Sequence, residues 1–213
     1  AGTGGTELLK IDSSNTATFA GTVNCQGLSA TGITSVTAGT SNFVAGVNAG
    51  NSIVSGGNYN TVVGDEAGTA ITTGGFNTAL GYAALDANTT GTANHAIGTS
   101  SLTNNTTGSN NTSVGSGSLY NNTTASNNTA VGYTALLANT TGTRNTAVGK
   151  DAGKSITTAS ENTVVGCLAG DAITTGTKNN FFGDSAGTSV TTGNYNVAIG
   201  NAALSSATTA SDN

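Results

Sequence analysis

The amino-acid sequence predicts an all-β protein, a parallel β-solenoid (β-roll) of ten rungs of about 17 residues each. Three observations support this fold class. A five-residue string, Asn-x-x-apolar-Gly, recurs at one fixed interval through most of the chain, and such regularity marks repeat architectures. The chain contains 32 Gly and no Pro, and only 7% of its residues are charged. No 3.6-residue periodicity is present, and the abundant Gly, Asn and Thr are poor helix formers.

The repeat divides the chain into two parts. Residues 42–213 form the array, in which one 18-residue copy begins at Asn42 and nine 17-residue copies begin at Asn60. Asn213 fits the first position of a further copy, so we expect the pattern to continue. Residues 1–41 lie outside the array. Within them, 7–11 and 16–23 carry β-type patterns around a polar turn and predict a short β-rich stalk or transition segment.

Position 1 of each rung, as we number the 17 residues, is always Asn. Identical amide side chains stacked on one another can hydrogen-bond along the axis of a solenoid. We therefore expect a structural ladder along the array. It comprises Asn60, Asn77, Asn94, Asn111, Asn128, Asn145, Asn162, Asn179 and Asn196.

Position 5 is always Gly, as expected where the backbone turns with a positive φ angle or approaches a neighbour closely. These predicted turn glycines are Gly64, Gly81, Gly98, Gly115, Gly132, Gly149, Gly166, Gly183 and Gly200. Position 8 is always Ala or Ser, which indicates a corner with little room. Positions 13 and 14 are Thr-Thr in all nine copies, a pattern that predicts a short β-run ending in a turn.

Positions 9 and 12 vary together. Where position 9 is Gly, position 12 is Ile or Val; where position 9 is Leu, position 12 is Asn, except in the last copy, which has Ala207. We infer that the two positions compete for one core site, which each rung fills with one aliphatic side chain. Close packing accounts for this, because it tolerates neither double occupancy nor a void.

Positions 3 and 4 are often both apolar, as at Val62 and Val63. Neighbours on a strand point to opposite faces, so one of the two lies outside the coil, where an apolar stripe needs a cover. We expect other copies of the chain to provide that cover. The alternative is that Ala or Ser at position 3 tolerates water. At about 3.3 Å per residue, a rung is long enough for two or three short strands.

Two runs of the array carry a family resemblance. The nine-residue runs Asn-Thr-Ala-Val-Gly-Tyr-Thr-Ala-Leu from Asn128 and Asn-Thr-Ala-Val-Gly-Lys-Asp-Ala-Gly from Asn145 resemble the head repeat of trimeric autotransporter adhesins (the YadA-like head). They equally resemble repeats of bacteriophage tail-fibre proteins. The resemblance covers about residues 42–213 and implies a left-handed parallel β-roll, assembled as a side-by-side homotrimer, that serves host attachment. The 17-residue period is longer than the usual head repeat, so a corner must be expanded. Residues 8–23 resemble phage fibre shafts, which favours a virion.

Composition and spacing argue against several other functions. A net charge of −5 with five basic residues offers no cationic stripe for nucleic acid, and no apolar run approaches a membrane span. His95 stands alone and cannot build a catalytic triad or a metal site. Asp65 and Glu66 are adjacent, so their carboxylates tend to diverge, unlike the opposed pair of a glycosidase. Asp151 and Asp184 also follow turn glycines. We expect no catalytic residue, metal site or cofactor, and no ligand-binding residue can be named.

Three further features have simple interpretations. Cys25 and Cys167 stand about seven rungs apart, too far for a disulfide. We expect Asn-x-Ser/Thr sequons to be polar rung residues of a phage or bacterial protein rather than glycosylation acceptors; five of them begin at Asn88, Asn105, Asn111, Asn122 and Asn139. Scattered tyrosines either stack on sugar rings or shield the corners of the coil. They are Tyr59, Tyr82, Tyr120, Tyr133 and Tyr195.

These observations favour a structural, adhesive fibre segment rather than an enzyme. The first interpretation is part of a phage tail fibre, in the virion, that acts as a spacer and receptor-contact surface. A bacterial cell-surface adhesin head is the alternative, also extracellular. The expected partners are further copies of the chain in a homotrimer and a host-surface glycan or protein receptor. An ice-binding solenoid, suggested by pairs such as Thr72-Thr73, and a polysaccharide depolymerase remain open from other classes.

Overall fold

A computed structural model of the chain describes residues 38–213. Within this range the protein is all-β, and ten short strands form one parallel sheet in chain order. The strands are β1 (Phe43–Ala45), β2 (Thr61–Val63), β3 (Thr78–Leu80), β4 (His95–Ile97), β5 (Thr112–Val114), β6 (Thr129–Val131), β7 (Thr146–Val148), β8 (Thr163–Val165), β9 (Asn180–Phe182) and β10 (Val197–Ile199). The predicted β-solenoid is confirmed. The stalk strands predicted at 7–11 and 16–23 lie outside the described residues.

Each strand occupies positions 2–4 of its rung and pairs in register with the same positions of the next rung. Thr129, for example, lies opposite Thr146, and Val131 lies opposite Val148. In the described array the remainder of each rung consists of turns, bends and irregular backbone. The prediction of two or three strands per rung was therefore wrong, as was the β-run at the Thr-Thr pairs, which lie in bends.

The physical reason lies in the backbone at positions 7, 9 and 17, which is left-handed in rung after rung. In the rung that begins at Asn128 these residues are Thr134, Leu136 and Arg144, with φ angles of 51°, 53° and 58°. A residue in this region interrupts strand geometry. The coil therefore turns around positions 7, 9 and 17, and bends at positions 13 and 14 interrupt the stretch between positions 9 and 17, so that strand pairing is confined to positions 2–4.

The Asn residues at position 1 lie buried along the coil and link successive rungs. The side-chain oxygen of Asn128 accepts a hydrogen bond from the backbone N–H of Asn145 at 2.9 Å. Its amide nitrogen donates to the carbonyl oxygen of Gly142, at position 15 of the same rung, at 2.8 Å. The same two bonds recur along the array. Each Asn thus closes its own coil and fixes the register of the next one.

The glycines at position 5 have φ angles between 118° and 141° in the nine 17-residue rungs. A Cβ atom on Gly132 would also lie 2.4 Å from the carbonyl oxygen of Gly149 in the next rung. Both the positive φ angle and the close approach of stacked backbones require glycine at this turn.

Positions 9 and 12 do share one region of the core. A Cβ atom on Gly68 would lie 2.7 Å from Cδ1 of Ile71, and one on Gly153 would lie 3.0 Å from Cδ1 of Ile156. Leu136, which takes position 9 in the rung before Gly153, is fully buried. The inference drawn from the paired variation of the two positions is confirmed.

Position 3 completes the core by adjusting to position 9. A Cβ atom on Gly187 would lie 2.2 Å from the ring of Phe181, and one on Gly170 would lie 2.7 Å from Cγ1 of Val164. Large residues at position 3 therefore require glycine at position 9. Rungs with Leu at position 9 carry a small residue at position 3 instead: Ala79, Ala96, Ser113, Ala130 and Ala198.

The rung that begins at Asn145 combines Gly153 at position 9 with the small Ala147 at position 3. Its neighbours fill the space, because Cδ2 of Leu136 and Cγ2 of Val164 lie 3.1 and 3.3 Å from the Cβ that Gly153 would carry. This rung lies at the change from the block with Leu at position 9 before it to the block with Gly at position 9 after it.

A second amide ladder, at position 12, was not foreseen. The amide nitrogen of Asn105 donates to the side-chain oxygen of Asn88 at 2.8 Å and to the carbonyl oxygen of Gly108 at 2.9 Å. Asn122 and Asn139 continue the ladder. It ends where the next rung has an aliphatic residue, and the side-chain oxygen of Asn139 is buried without a partner. Within the nine 17-residue copies, the occurrence of Asn only with Leu was the available signal.

Candidate interaction surface

The outer face of the sheet carries a continuous column of apolar side chains, one from position 4 of each rung. We call it the apolar column. Leu80 and Phe182 in this column keep 45% and 41% of their surface exposed, and the other members are exposed or half-buried. Its members in the nine 17-residue rungs are Val63, Leu80, Ile97, Val114, Val131, Val148, Val165, Phe182 and Ile199. The column thus extends through every 17-residue rung of the described array.

The structure decides which of the two apolar positions faces outward. Position 3 is buried in every 17-residue rung, including the small residues Ala96 and Ser113. The alternative that Ala or Ser at position 3 tolerates water is therefore wrong. Because position 4 never carries a small or polar residue in these rungs, the exposed column is more apolar than the buried one beside it.

Polar and aromatic residues flank the apolar column. Position 2, on the same face, is Thr in most rungs, with His95, Asn180 and Val197 as exceptions, all exposed. Position 6 follows the turn glycine and varies freely. Tyr82 and Tyr133 occupy it three rungs apart, with 58% and 56% of their surface exposed. The tyrosines are thus on the surface, as required both for stacking on sugar rings and for shielding the corners of the coil.

A charged row lies at position 17 of three successive rungs. The Arg144 guanidinium is 2.5 Å from Glu161, and its hydrogen bond lowers the pKa of that carboxyl. Lys178 lies 4.0 Å from Glu161 and donates to the hydroxyl of Tyr195 at 3.1 Å. This bond to the phenol raises the pKa of Lys178. All these groups are largely solvated, so the row contributes little stability.

Asp151 is the one acidic side chain among the buried residues of the described range. It accepts a hydrogen bond from Thr134 in the preceding rung and lies 3.0 Å from Lys150 and 3.2 Å from Lys154. The hydroxyl of Thr134 and then the two ammonium groups lower its pKa to about 2. The neighbouring carboxylate in turn raises the pKa of Lys150. Asp151 joins adjacent rungs and remains ionised in ordinary buffers.

The other acidic residues singled out by their sequence position also bond within the coil. Asp65 accepts from the backbone N–H of Val47 at 3.0 Å, and Glu66 accepts from the side-chain amide of Asn48 at 2.9 Å. Asp184 is exposed near Ser185. Within residues 38–213 no group of three or more His, Cys, Asp or Glu side chains is placed to hold a metal ion.

The structure also locates Cys167 and the sequon asparagines. Cys167 is a half-buried free thiol at position 6, and Cys25 lies outside the described residues. The five sequon asparagines named in the sequence analysis are fully buried, among them Asn88, Asn105 and Asn111. Their amide nitrogens donate within the ladders, so the folded array does not present them to a glycosylating enzyme.

The two threonines of each Thr-Thr pair have different surroundings. At position 13 the hydroxyl donates to the backbone carbonyl of the same position one rung on, as from Thr89 to Thr106 at 3.1 Å. At position 14 all nine side chains are exposed. We call these nine residues the threonine column: Thr73, Thr90, Thr107, Thr124, Thr141, Thr158, Thr175, Thr192 and Thr209.

In comparisons with known proteins, no family model, curated protein or solved structure matches the chain. Among the described residues there is also no helix that is long and apolar enough to cross a membrane. The interaction surface is therefore interpreted from its own geometry.

Proposed function

We propose that this chain is a structural, adhesive segment of a homotrimeric fibre, not an enzyme. The observation that carries the proposal is the exposed apolar column, which runs through all nine 17-residue rungs on the outer face of the sheet. Single exposed apolar residues are common on proteins, but a continuous stripe indicates an interaction partner. A partner that covers every rung equally must itself be long and regular, as a second and third copy of the chain are.

Rough energetics explain why the column has to be long. Covering a half-exposed aliphatic side chain contributes about 0.5–1 kcal/mol, so nine rungs contribute about 5–9 kcal/mol per protomer. Association costs about 4–15 kcal/mol in lost freedom of motion. The free energy gained by covering a few rungs would not offset this cost, whereas that gained by covering the whole column is of the same size as the cost. This accounts for the absence of polar residues at position 4.

The resemblance to phage tail-fibre and YadA-like head repeats supports a left-handed coil, a side-by-side trimer and a role in host attachment. In this role the segment holds a receptor-binding part at a distance or itself contacts a host glycan or protein. A virion is the first location, and a bacterial cell surface is the alternative. The resemblance of residues 8–23 to fibre shafts favours the virion.

Two substitutions in one rung test the proposal. Val114→Asp places a charge in the apolar column, and Ser116→Asp places the same charge two residues away at position 6, where Asp65 and Asp184 already occur. Sedimentation equilibrium should show a trimer for the wild-type chain and for Ser116→Asp, and dissociation for Val114→Asp. Trimers of equal stability in both variants would show that the column is not the interface.

Ice binding and polysaccharide cleavage make different predictions. Ice binding requires inhibition of ice recrystallisation at micromolar protein, and a depolymerase requires new reducing ends from a capsule or lipopolysaccharide. The exposed threonine column is the feature that an ice-binding function would use. We expect neither activity, and either one in the wild-type chain would replace the fibre proposal.

A further inference from the structure

The threonine column is the second uniform exposed feature of the array. Most invariant positions of the rung are explained within one chain: Asn at position 1 and Thr at position 13 bond to the next rung, and Gly at position 5 permits the turn. Position 14 is different. Its nine side chains are exposed, and among residues 38–213 none of their hydroxyls forms a hydrogen bond within the chain.

Other exposed positions show that exposure alone does not demand uniformity. Position 6 carries Asp, Tyr, Thr, Ser, Lys, Cys and Asn in different rungs, and position 17 varies as widely. Position 14 is exposed and Thr in every 17-residue rung, and position 4 is at least partly exposed and apolar in every one. Position 13 is also Thr throughout, but it is half-buried in all except the last of these rungs and its hydroxyl bonds to the next rung. The apolar and threonine columns are ten residues apart in the sequence of each rung, and the left-handed turns at positions 5, 7 and 9 come between them.

The period of the threonine column limits what can bind along it. Its members repeat once per rung, at about 4.8 Å. A periodic ligand whose repeat differed by about a tenth would be half a rung out of step after about five rungs. Another copy of this chain has the same period by construction and stays in step over the whole length.

A side-by-side trimer also requires two different surfaces if its contacts are heterologous. In a closed threefold ring, a patch on one protomer meets a different patch on the next. The apolar column then needs an equally regular acceptor surface. Threonine suits this role, because its methyl group packs against aliphatic side chains while its hydroxyl can still reach water or a backbone group at the edge.

We propose that the threonine column is the surface on which the apolar column of the neighbouring protomer packs. This inference rests on the proposed function and specifies how its interface is built. It predicts that both columns become buried on assembly, and that each protomer contributes one column of each kind to the trimer.

Disulfide cross-linking tests the pairing directly. In a chain carrying Cys25→Ser and Cys167→Ser, Val114→Cys is combined with Thr107→Cys, Thr124→Cys or Thr141→Cys to cover three axial registers. A disulfide forms only when Cβ atoms approach within about 3.5–4.5 Å. Mild oxidation should give a covalent trimer on a non-reducing gel for at least one pair, and no cross-link for any single cysteine.

Each other outcome overturns the inference in a distinguishable way. A cross-link from Val114→Cys alone would show that three apolar columns meet one another on the axis. If none of the three pairs cross-links although the mass is trimeric, and Thr124→Cys still reacts with maleimide, the threonine column does not contact the apolar column. It is then open for another ligand. A monomeric mass would remove the proposed function and, with it, the premise of the pairing.

Discussion

Converting one rung from one core type to the other tests the packing account most stringently. The rung that begins at Asn145 is suited to this because it has Gly153 and Ile156 but also the small Ala147. The single changes are Gly153→Leu and Ile156→Asn, and the double change reproduces the Leu/Asn type of the preceding rung. If positions 9 and 12 share one site, each single change should harm the core and the double change should largely restore it.

The structure gives the expected magnitudes. Gly153→Leu adds a side chain whose Cβ starts 3.0 Å from Ile156 Cδ1; overpacking and a left-handed leucine together cost about 2–4 kcal/mol. Ile156→Asn removes a fully buried aliphatic side chain and costs about 2–5 kcal/mol. In the double variant the leucine fills the void, and the new amide can donate to the unpartnered oxygen of Asn139. We expect a net cost below about 2 kcal/mol, since what remains unfavourable is the left-handed leucine and the close approach of its Cβ to Leu136 Cδ2 and Val164 Cγ2, at 3.1 and 3.3 Å.

Urea denaturation at one fixed protein concentration measures these differences, because association makes stability concentration-dependent. The two single changes sum to about 4–9 kcal/mol. The coupling between them should therefore stabilise the double variant by at least about 2 kcal/mol relative to that sum. A matched control is Gly170→Leu with Ile173→Asn. There Val164 Cγ1 already lies 2.7 Å from the Cβ that a residue at position 170 would carry. The double change should therefore not restore the stability lost in the single variants. Additive costs at Gly153 and Ile156 would refute the shared site.

Two further predictions concern the turn and the buried carboxylate. Gly132→Ala should lower the free energy of unfolding by about 3–5 kcal/mol, because its Cβ would meet the Gly149 carbonyl and its φ is strained. Gly117→Ala, where φ is 67° and the nearest atom to the new Cβ is Thr134 Cγ2 at 3.3 Å, should lose only about 1–2 kcal/mol in the same urea titration. Asp151 has a pKa lowered from 3.8 to about 2, so its contribution is complete above pH 5 and disappears as the pH falls toward 2. Asp151→Asn should therefore cost about 1–2 kcal/mol at pH 7 and almost nothing near pH 2; a pH-independent difference would contradict this.

Much of the fold could be predicted from the spacing of a few residues. The interval between Asn128 and Asn145 fixes the period, and a strict period in a chain of Gly, Asn and Thr leaves few alternatives to a stacked coil. The shared core site at positions 9 and 12 also followed from the sequence, because ten copies in one chain expose paired variation that a single copy would hide.

The remaining features depend on three-dimensional context that the sequence does not show. Strand alternation requires Ala130 and Val131 to face opposite ways but does not say which faces inward. The small residue is inside because Leu136 fills the core from position 9. The left-handed backbone at Leu136 was equally hidden, since leucine rarely adopts it alone. Stacked rungs impose that conformation on every copy, and the same stacking buries Asn122 in a second ladder.

The central claim is that the apolar column is an interface between copies of the chain. The most direct test is the solution mass of this chain by light scattering, measured over a range of protein concentrations. The account predicts a mass three times the 20.5 kDa of one chain. A folded monomer at every concentration would contradict it and would leave the apolar and threonine columns as surfaces of a solitary solenoid.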